Sequence, residues 1–137
     1  MWLPLIALAT ARLGELATET LLKQGIGRPR PALEPALTTA TGFSFPSGHT
    51  AGTAAVACVL ALLLLGVHQV GRRRAGLLRW GAVVIVTGVI VATVACSRVL
   101  LGVHYPSDVL GGALLGTACA LLAVAEAAHR WEARTDT

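Results

Sequence analysis

Apolar residues run along the chain in four long blocks joined by three connectors of different character. The first block extends from about Trp2 to Leu22 and the second from about Thr50 to Val67. The third covers about Gly81 to Cys96 and the fourth about Val109 to Ala125. Each approaches the 17–25 residues with which an α-helix crosses the hydrocarbon core of a bilayer. Blocks two to four contain no charge, whereas Arg12, Glu15 and Glu19 interrupt the first. The pattern predicts an all-α fold, a transmembrane helical bundle of about four membrane-spanning helices, in one domain over residues 1–137. The connector Lys23–Gly48 is rich in Gly, Pro and Thr and reads as an irregular loop. His68–Trp80 reads as a basic turn, Ser97–Asp108 as a polar turn, and the tail from His129 to Thr137 as a frayed end.

Composition narrows the class. Hydrophobic residues make up 55% of the 137 positions, charged residues 13%, and the mean hydropathy is +0.71. Soluble chains carry roughly 25% charge. An ordinary cytosolic enzyme, a disordered tail and a nucleic-acid binder are excluded. The net charge of +4 does not describe a DNA-binding face, because Arg72, Arg73, Arg74 and Arg79 supply four of the eleven positive charges from one turn. That cluster is a topology signal. The positive-inside rule puts it in the cytoplasm, with Arg130 and Arg134 on the same side. The connectors Lys23–Gly48 and Ser97–Asp108 then share the non-cytoplasmic face of what is expected to be the plasma membrane. Cys58, Cys96 and Cys119 are isolated and form no Cys-x-x-Cys pair, so they read as small packing residues. The N-terminus lacks a basic region and is broken by Arg12, unlike a signal peptide. Trp2, Trp80 and Trp131 fall at block ends, as interfacial tryptophans do. Gly112-x-x-x-Gly116 suits close helix packing.

The non-cytoplasmic connectors hold three clusters: Lys23 with Arg30-Pro31, Pro46-Ser47-Gly48-His49, and Ser97-Arg98 with His104 and Asp108. Lys23, Arg30 and Arg98 bring three cations to one surface, where the planar fork of Arg suits phosphate and Lys supplies a point charge. Ser47 and Gly48 precede the second helix, whose first N–H groups and dipole favour an anion. Gly48 lets a backbone approach closely. If the fourth helix starts near Pro106, Asp108 lies in its first turn with His104 just before it. Asp108 would then fix the His104 tautomer and leave the other nitrogen as a nucleophile. The bland alternatives are interfacial anchors for the cations, a dipole-compensating first-turn acid for Asp108, and an interfacial helix-start residue for His49. Arg12, Glu15, Glu19 and Lys23 follow at spacings of three, four and four and share one helix face, where Glu19 is expected to pair with Lys23. His68 and His129 are expected to face solvent with no role.

The three clusters match Lys-x6-Arg-Pro, Pro-Ser-Gly-His and Ser-Arg-x5-His-x3-Asp in order and without mismatch. In this the chain resembles the type-2 phosphatidic acid phosphatase family, the membrane relatives of vanadium haloperoxidases. The resemblance spans most of the chain. It implies metal-independent hydrolysis of a lipid phosphate through a phosphohistidine, with no cofactor. His104 would attack phosphorus, Asp108 would orient it, and His49 would protonate the leaving group. Lys23, Arg30, Ser47, Gly48 and Arg98 would hold the phosphoryl oxygens. Membrane members of the family commonly have six transmembrane helices, the first signature ending the third. Two N-terminal helices therefore have no counterpart in this sequence, a truncated version of the six-helix core whose bare flanks a homo-oligomer would cover. The expected partners are the lipid bilayer and a lipid phosphate substrate, with no nucleic acid. Phosphatidic acid, phosphatidylglycerol phosphate, polyprenyl diphosphates and polyprenyl-phosphate sugars all fit. Two further readings stay open, a non-catalytic or fragmentary membrane helical protein of the same family and a vanadium haloperoxidase.

Overall fold

A computed structural model of the chain describes residues 3–32, 38, 40–66 and 73–135. It contains four helices and, among the described residues, no strand: α1 (Leu3–Ile26), α2 (Gly48–Gly66), α3 (Arg73–Leu100) and α4 (Pro106–Thr135). Three are long and apolar enough to cross a membrane, through Gly48–Gly66, Gly76–Leu100 and Pro106–Trp131. α1, outside these three, carries the charged ladder and turns that face inward. Glu15 and Glu19 are buried while Leu13, Leu16 and Leu21 of the same helix are exposed. Apolar side chains outward and ionisable ones inward is the arrangement a hydrocarbon surround favours.

Each helix except the second extends well beyond its apolar block. α3 takes in Arg79 and Trp80, which the sequence pattern assigned to the basic turn, and its last turn takes in Ser97 and Arg98. α4 continues to Thr135, so the expected frayed tail from His129 is helical. Polar residues that leave the apolar layer still satisfy their backbone within the helix. A Glu126–Arg130 pair one turn apart (2.7 Å) supports that stretch. His129 and Trp131 are exposed. Trp2, His68 and Arg72 lie outside the described residues.

The centre of the bundle is the α2–α4 contact. α1 packs against both of these helices, α3 leans mainly on α2, and α1 and α3 do not touch each other among the described residues. The core is built from small side chains, including Ala7, Ala11, Ala51, Ala55, Val59 and Ala120. With lipid tails as apolar as leucine, close van der Waals approach is what holds such helices together. Gly112 and Gly116 carry this furthest. A Cβ on Gly112 would run into the Ser47 carbonyl, and one on Gly116 into the Ala51 carbonyl and within 2.8 Å of the Ala55 nitrogen. The three cysteines are free, and Cys58 Sγ sits 3.7 Å from Thr117 Oγ1.

Candidate active site

The turn between α3 and α4 delivers His104 and Asp108. Gly102, at φ 71°, closes α3. The Val103 N–H donates to the Arg98 carbonyl (3.2 Å) and the Gly102 N–H to that of Val99 (2.9 Å). This pair of bonds is the Schellman closure, which needs a left-handed residue and so favours glycine. Three residues on, α4 begins with its own cap. Asp108, the third helical residue, reaches back so that Oδ2 accepts from the Tyr105 N–H (2.8 Å). His104 is thus held in a two-ended turn between a helix stop and a helix start.

Asp108 has no exposed surface. Its Oδ1 accepts from Arg28 Nη1 (2.9 Å), and its Oδ2 lies 3.5 Å from His104 Nδ1. Nδ1 has no other partner, and the contact to Asp108 is longer than a full hydrogen bond. Such contacts commonly tighten when substrate binds. The opposite ring atom, Nε2, faces Arg30 Nη1 at 3.3 Å. An arginine N–H can only donate, so Nε2 is the accepting atom and the ring proton is assigned to Nδ1, toward Asp108. Burial holds the His104 pKa below its ordinary 6.5, and the Arg30 guanidinium adds to this, against opposing effects of the Ser44 backbone and Asp108. The ring is therefore neutral at pH 7, with the Nε2 electron pair directed at Arg30.

Arg30 is fixed by the chain around it. Its Nε donates to the Gly42 carbonyl (3.1 Å), Nη2 to that of Thr41 (3.0 Å) and Nη1 to that of Val103 (2.9 Å). The signature around α2 is tied to the turn through its backbone, since the Ser47 N–H donates to the Asp108 carbonyl (2.9 Å). Ser47 opens α2, its carbonyl accepting from the Ala51 N–H (2.9 Å) and its Oγ from Thr50 Oγ1 (3.1 Å). The first N–H groups of α2 have no intrahelical acceptor, which makes this end of the helix receptive to an anion.

These pieces meet at a cleft of about 790 Å³. Lys23, Arg30, Gly48, His49 and His104 line its polar part, and Val56, Ala57, Leu60 and Ile90 line its apolar part. All three sequence clusters contribute. Ser47 and Asp108 are buried behind the lining. Arg98 is half-buried and does not line the cleft, and its Nε donates to Ser97 Oγ (3.3 Å). Lys23 Nζ pairs with Glu19 Oε1 at 2.6 Å, as the spacing suggests. The Glu19 carboxylate also rests against Gly48, where a Cβ would come within 2.6 Å of its Cδ. That contact is what the glycine of this signature permits.

Arg28 was not singled out by the sequence. Besides holding Asp108, it donates to Ser107 Oγ (2.6 Å) and stacks over the Tyr105 ring (4.1 Å to the centroid). One signal could have found it: a carboxylate buried beside a histidine requires a cation, and Arg28 lies between two residues already assigned to the site.

Cationic residues, a neutral histidine backed by a buried acid and an apolar end make a cleft suited to an anion that carries an apolar tail. A sequence model of the PAP2 superfamily matches residues 3–131, and the chain belongs to that family. Phosphatidylglycerophosphatase B of Bacillus subtilis (strain 168) is 41% identical over 102 residues, which are 70% of this chain and 44% of that protein. Decaprenylphosphoryl-5-phosphoribose phosphatase of Mycobacterium tuberculosis is 39% identical over 103 residues, 73% of this chain and 48% of the relative. The chain spans about half the length of these curated relatives. In structure it is similar to a transmembrane PAP2-type phosphatidylglycerolphosphate phosphatase from Bacillus subtilis, with a TM-score of 0.66 at 38% identity, over 88% of this chain and 55% of the other. LpxE of Aquifex aeolicus gives a TM-score of 0.66 at 27% identity, over 88% of this chain and 67% of the other. The protein is an integral membrane protein.

Proposed function

We propose that this protein is a membrane phosphatase, one domain over residues 1–137, that hydrolyses a lipid phosphate monoester or diphosphate without a metal. The observation that carries the reading is the neutral His104 ring, backed by buried Asp108, in the same cleft as Lys23, Arg30, Gly48 and His49. His104 Nε2 attacks phosphorus, forming an N–P bond as the bond to the lipid oxygen breaks. His49, an exposed residue of the cleft lining, gives a proton to the departing oxygen. Water, relieved of a proton by His49, then attacks the phosphohistidine and releases inorganic phosphate and the free ring. Lys23, Arg30 and the α2 N-terminus at Ser47 and Gly48 neutralise the charge that grows on the equatorial oxygens. Arg98 joins this set by its place in the family signature. The apolar end takes the lipid chain. The relatives named for lipid phosphatase activities support this substrate class.

The proposal extends to a plasma-membrane location with the site on the non-cytoplasmic face, supported by the Arg72–Arg79 charge cluster. It also extends to a homo-oligomer covering the exposed apolar residues Leu77, Ile85, Val86 and Val89 of α3. Protein purified in detergent should release phosphate from phosphatidic acid or a polyprenyl phosphate in excess chelator, and His104→Ala should abolish this. Activity that vanishes with chelator and returns with magnesium would sink the mechanism. A cysteine at Thr38, in a background lacking Cys58, Cys96 and Cys119, should react with an impermeant thiol reagent in intact cells. Protection of that site would reverse the orientation.

A further inference from the structure

Arg12 is the cation of α1 that the phosphoryl site does not use. It sits near the middle of the helix, where an unpaired cation would be costly in lipid. Glu15, completely buried, is its counter-ion through Nη1, which keeps the guanidinium charged and anchored from one side. That is its only hydrogen bond among the described residues. The remaining guanidinium donors are uncommitted, and 42% of the side chain is exposed. Arg12 lines the cleft, and Nη1 lies against Gly52, where a Cβ would come within about 2.5 Å of it. Gly52 is one turn along α2 from Gly48, about 6 Å deeper at 1.5 Å per residue. Thr53 lines the same level.

The cleft therefore has three levels. The phosphoryl group belongs with Lys23, Arg30 and His104, and the hydrocarbon chain with Val56, Leu60 and Ile90. Between them stands one guanidinium with free donors. The geometry points to a second subsite, in which Arg12 binds an acceptor-oxygen group on the leaving side of the lipid, about one helical turn below the reacting phosphorus. Two lipid classes carry such a group: the second phosphate of a polyprenyl diphosphate and the glycerol ester oxygens of a phosphatidyl lipid. A polyprenyl monophosphate carries none. Arg12 is thus a specificity residue, and this inference rests on the phosphatase reading above.

The test compares kcat/KM on those three lipids for the wild type, Arg12→Lys and the double variant Arg12→Gln/Glu15→Gln. Lysine keeps the charge and loses the fork, and the double variant leaves no buried carboxylate unpaired if the single change disturbs folding. The ratio of kcat/KM on the oxygen-bearing lipid to that on the polyprenyl monophosphate should fall on the order of 10- to 100-fold, the worth of a hydrogen bond to a charged group. A fall confined to the diphosphate assigns the subsite to the second phosphate, and one confined to phosphatidic acid assigns it to the esters. An unchanged ratio on both overturns the subsite. A parallel arm measures equilibrium binding of the same lipids to His104→Ala protein with and without Arg12→Lys, so that turnover is not needed. Wild-type protein that hydrolyses none of the three overturns the phosphatase reading, while the binding arm still decides the subsite. Equal loss of binding for all three lipids would overturn it.

Discussion

Asp108→Asn separates the two tasks of one buried carboxylate. Its oxygens accept from Arg28 Nη1 (2.9 Å) and the Tyr105 N–H (2.8 Å), and one faces His104 Nδ1 at 3.5 Å. An amide of the same shape keeps one acceptor and turns the other into a donor. Whichever way it sits, either the Tyr105 N–H or Arg28 loses its acceptor, at a cost of about 1–3 kcal/mol. Losing the charge opposite Arg28 adds less than about 1 kcal/mol, because Arg28 is 35% exposed and solvent screens the pair. A loss of about 1–4 kcal/mol should appear as a lower thermal midpoint in detergent. The effect on turnover is larger. With NH₂ toward Nδ1, the favoured tautomer carries its proton on Nε2 and the attacking electron pair is gone. In hydrolase triads this substitution costs on the order of 10⁴-fold, and a loss of roughly 10²–10⁴-fold in kcat is expected here. The pH profile supplies a further sign. Asp108 raises the His104 pKa against the larger lowering by burial and Arg30. Removing its charge lowers that pKa further, so the acid limb of residual kcat/KM should move to lower pH. A folded Asp108→Asn protein with near wild-type kcat, or an acid limb that moves upward, would refute this account of the pair.

Two other outcomes test different parts of the site. His49→Asn should lose on the order of 10²–10⁴-fold on phosphatidic acid, whose alkoxide needs a proton, and much less on a polyprenyl diphosphate, whose leaving phosphate does not. An equal loss on both, measured with the purified variant, would give His49 a binding role instead. Gly116→Val should force α2 off α4, costing about 1–3 kcal/mol by overpacking. It should also lower activity, because the Ser47–Asp108 backbone bond spans the same contact. A thermal midpoint equal to wild type would show that the helices can separate without cost.

The class of fold and the number of helices were legible in the sequence, as were Lys23, Arg30, Gly48, His49 and His104 as candidates that the fold brings to one cleft. Apolar blocks of bilayer length leave few alternatives to helices, and fixed spacings such as Ser-Arg-x5-His-x3-Asp encode a helix stop, a turn and a helix start whose geometry is local. Pairings within one helix were equally legible, as Glu19 with Lys23 shows. Helix ends were not, because hydropathy changes at the membrane boundary while backbone hydrogen bonding continues past it, as α4 does to Thr135. Which cation meets which acid across different elements depended on the three-dimensional packing. Arg28 and Asp108 are 80 positions apart, and no spacing rule links them. Their contact exists because the loop after α1 folds over the start of α4. The same packing placed Arg30 beside His104, left Arg98 off the cleft lining, and set Arg12 one turn beneath the phosphoryl site. Such relations depend on how closely α2 approaches α4 through Gly112 and Gly116, a distance set by three-dimensional packing.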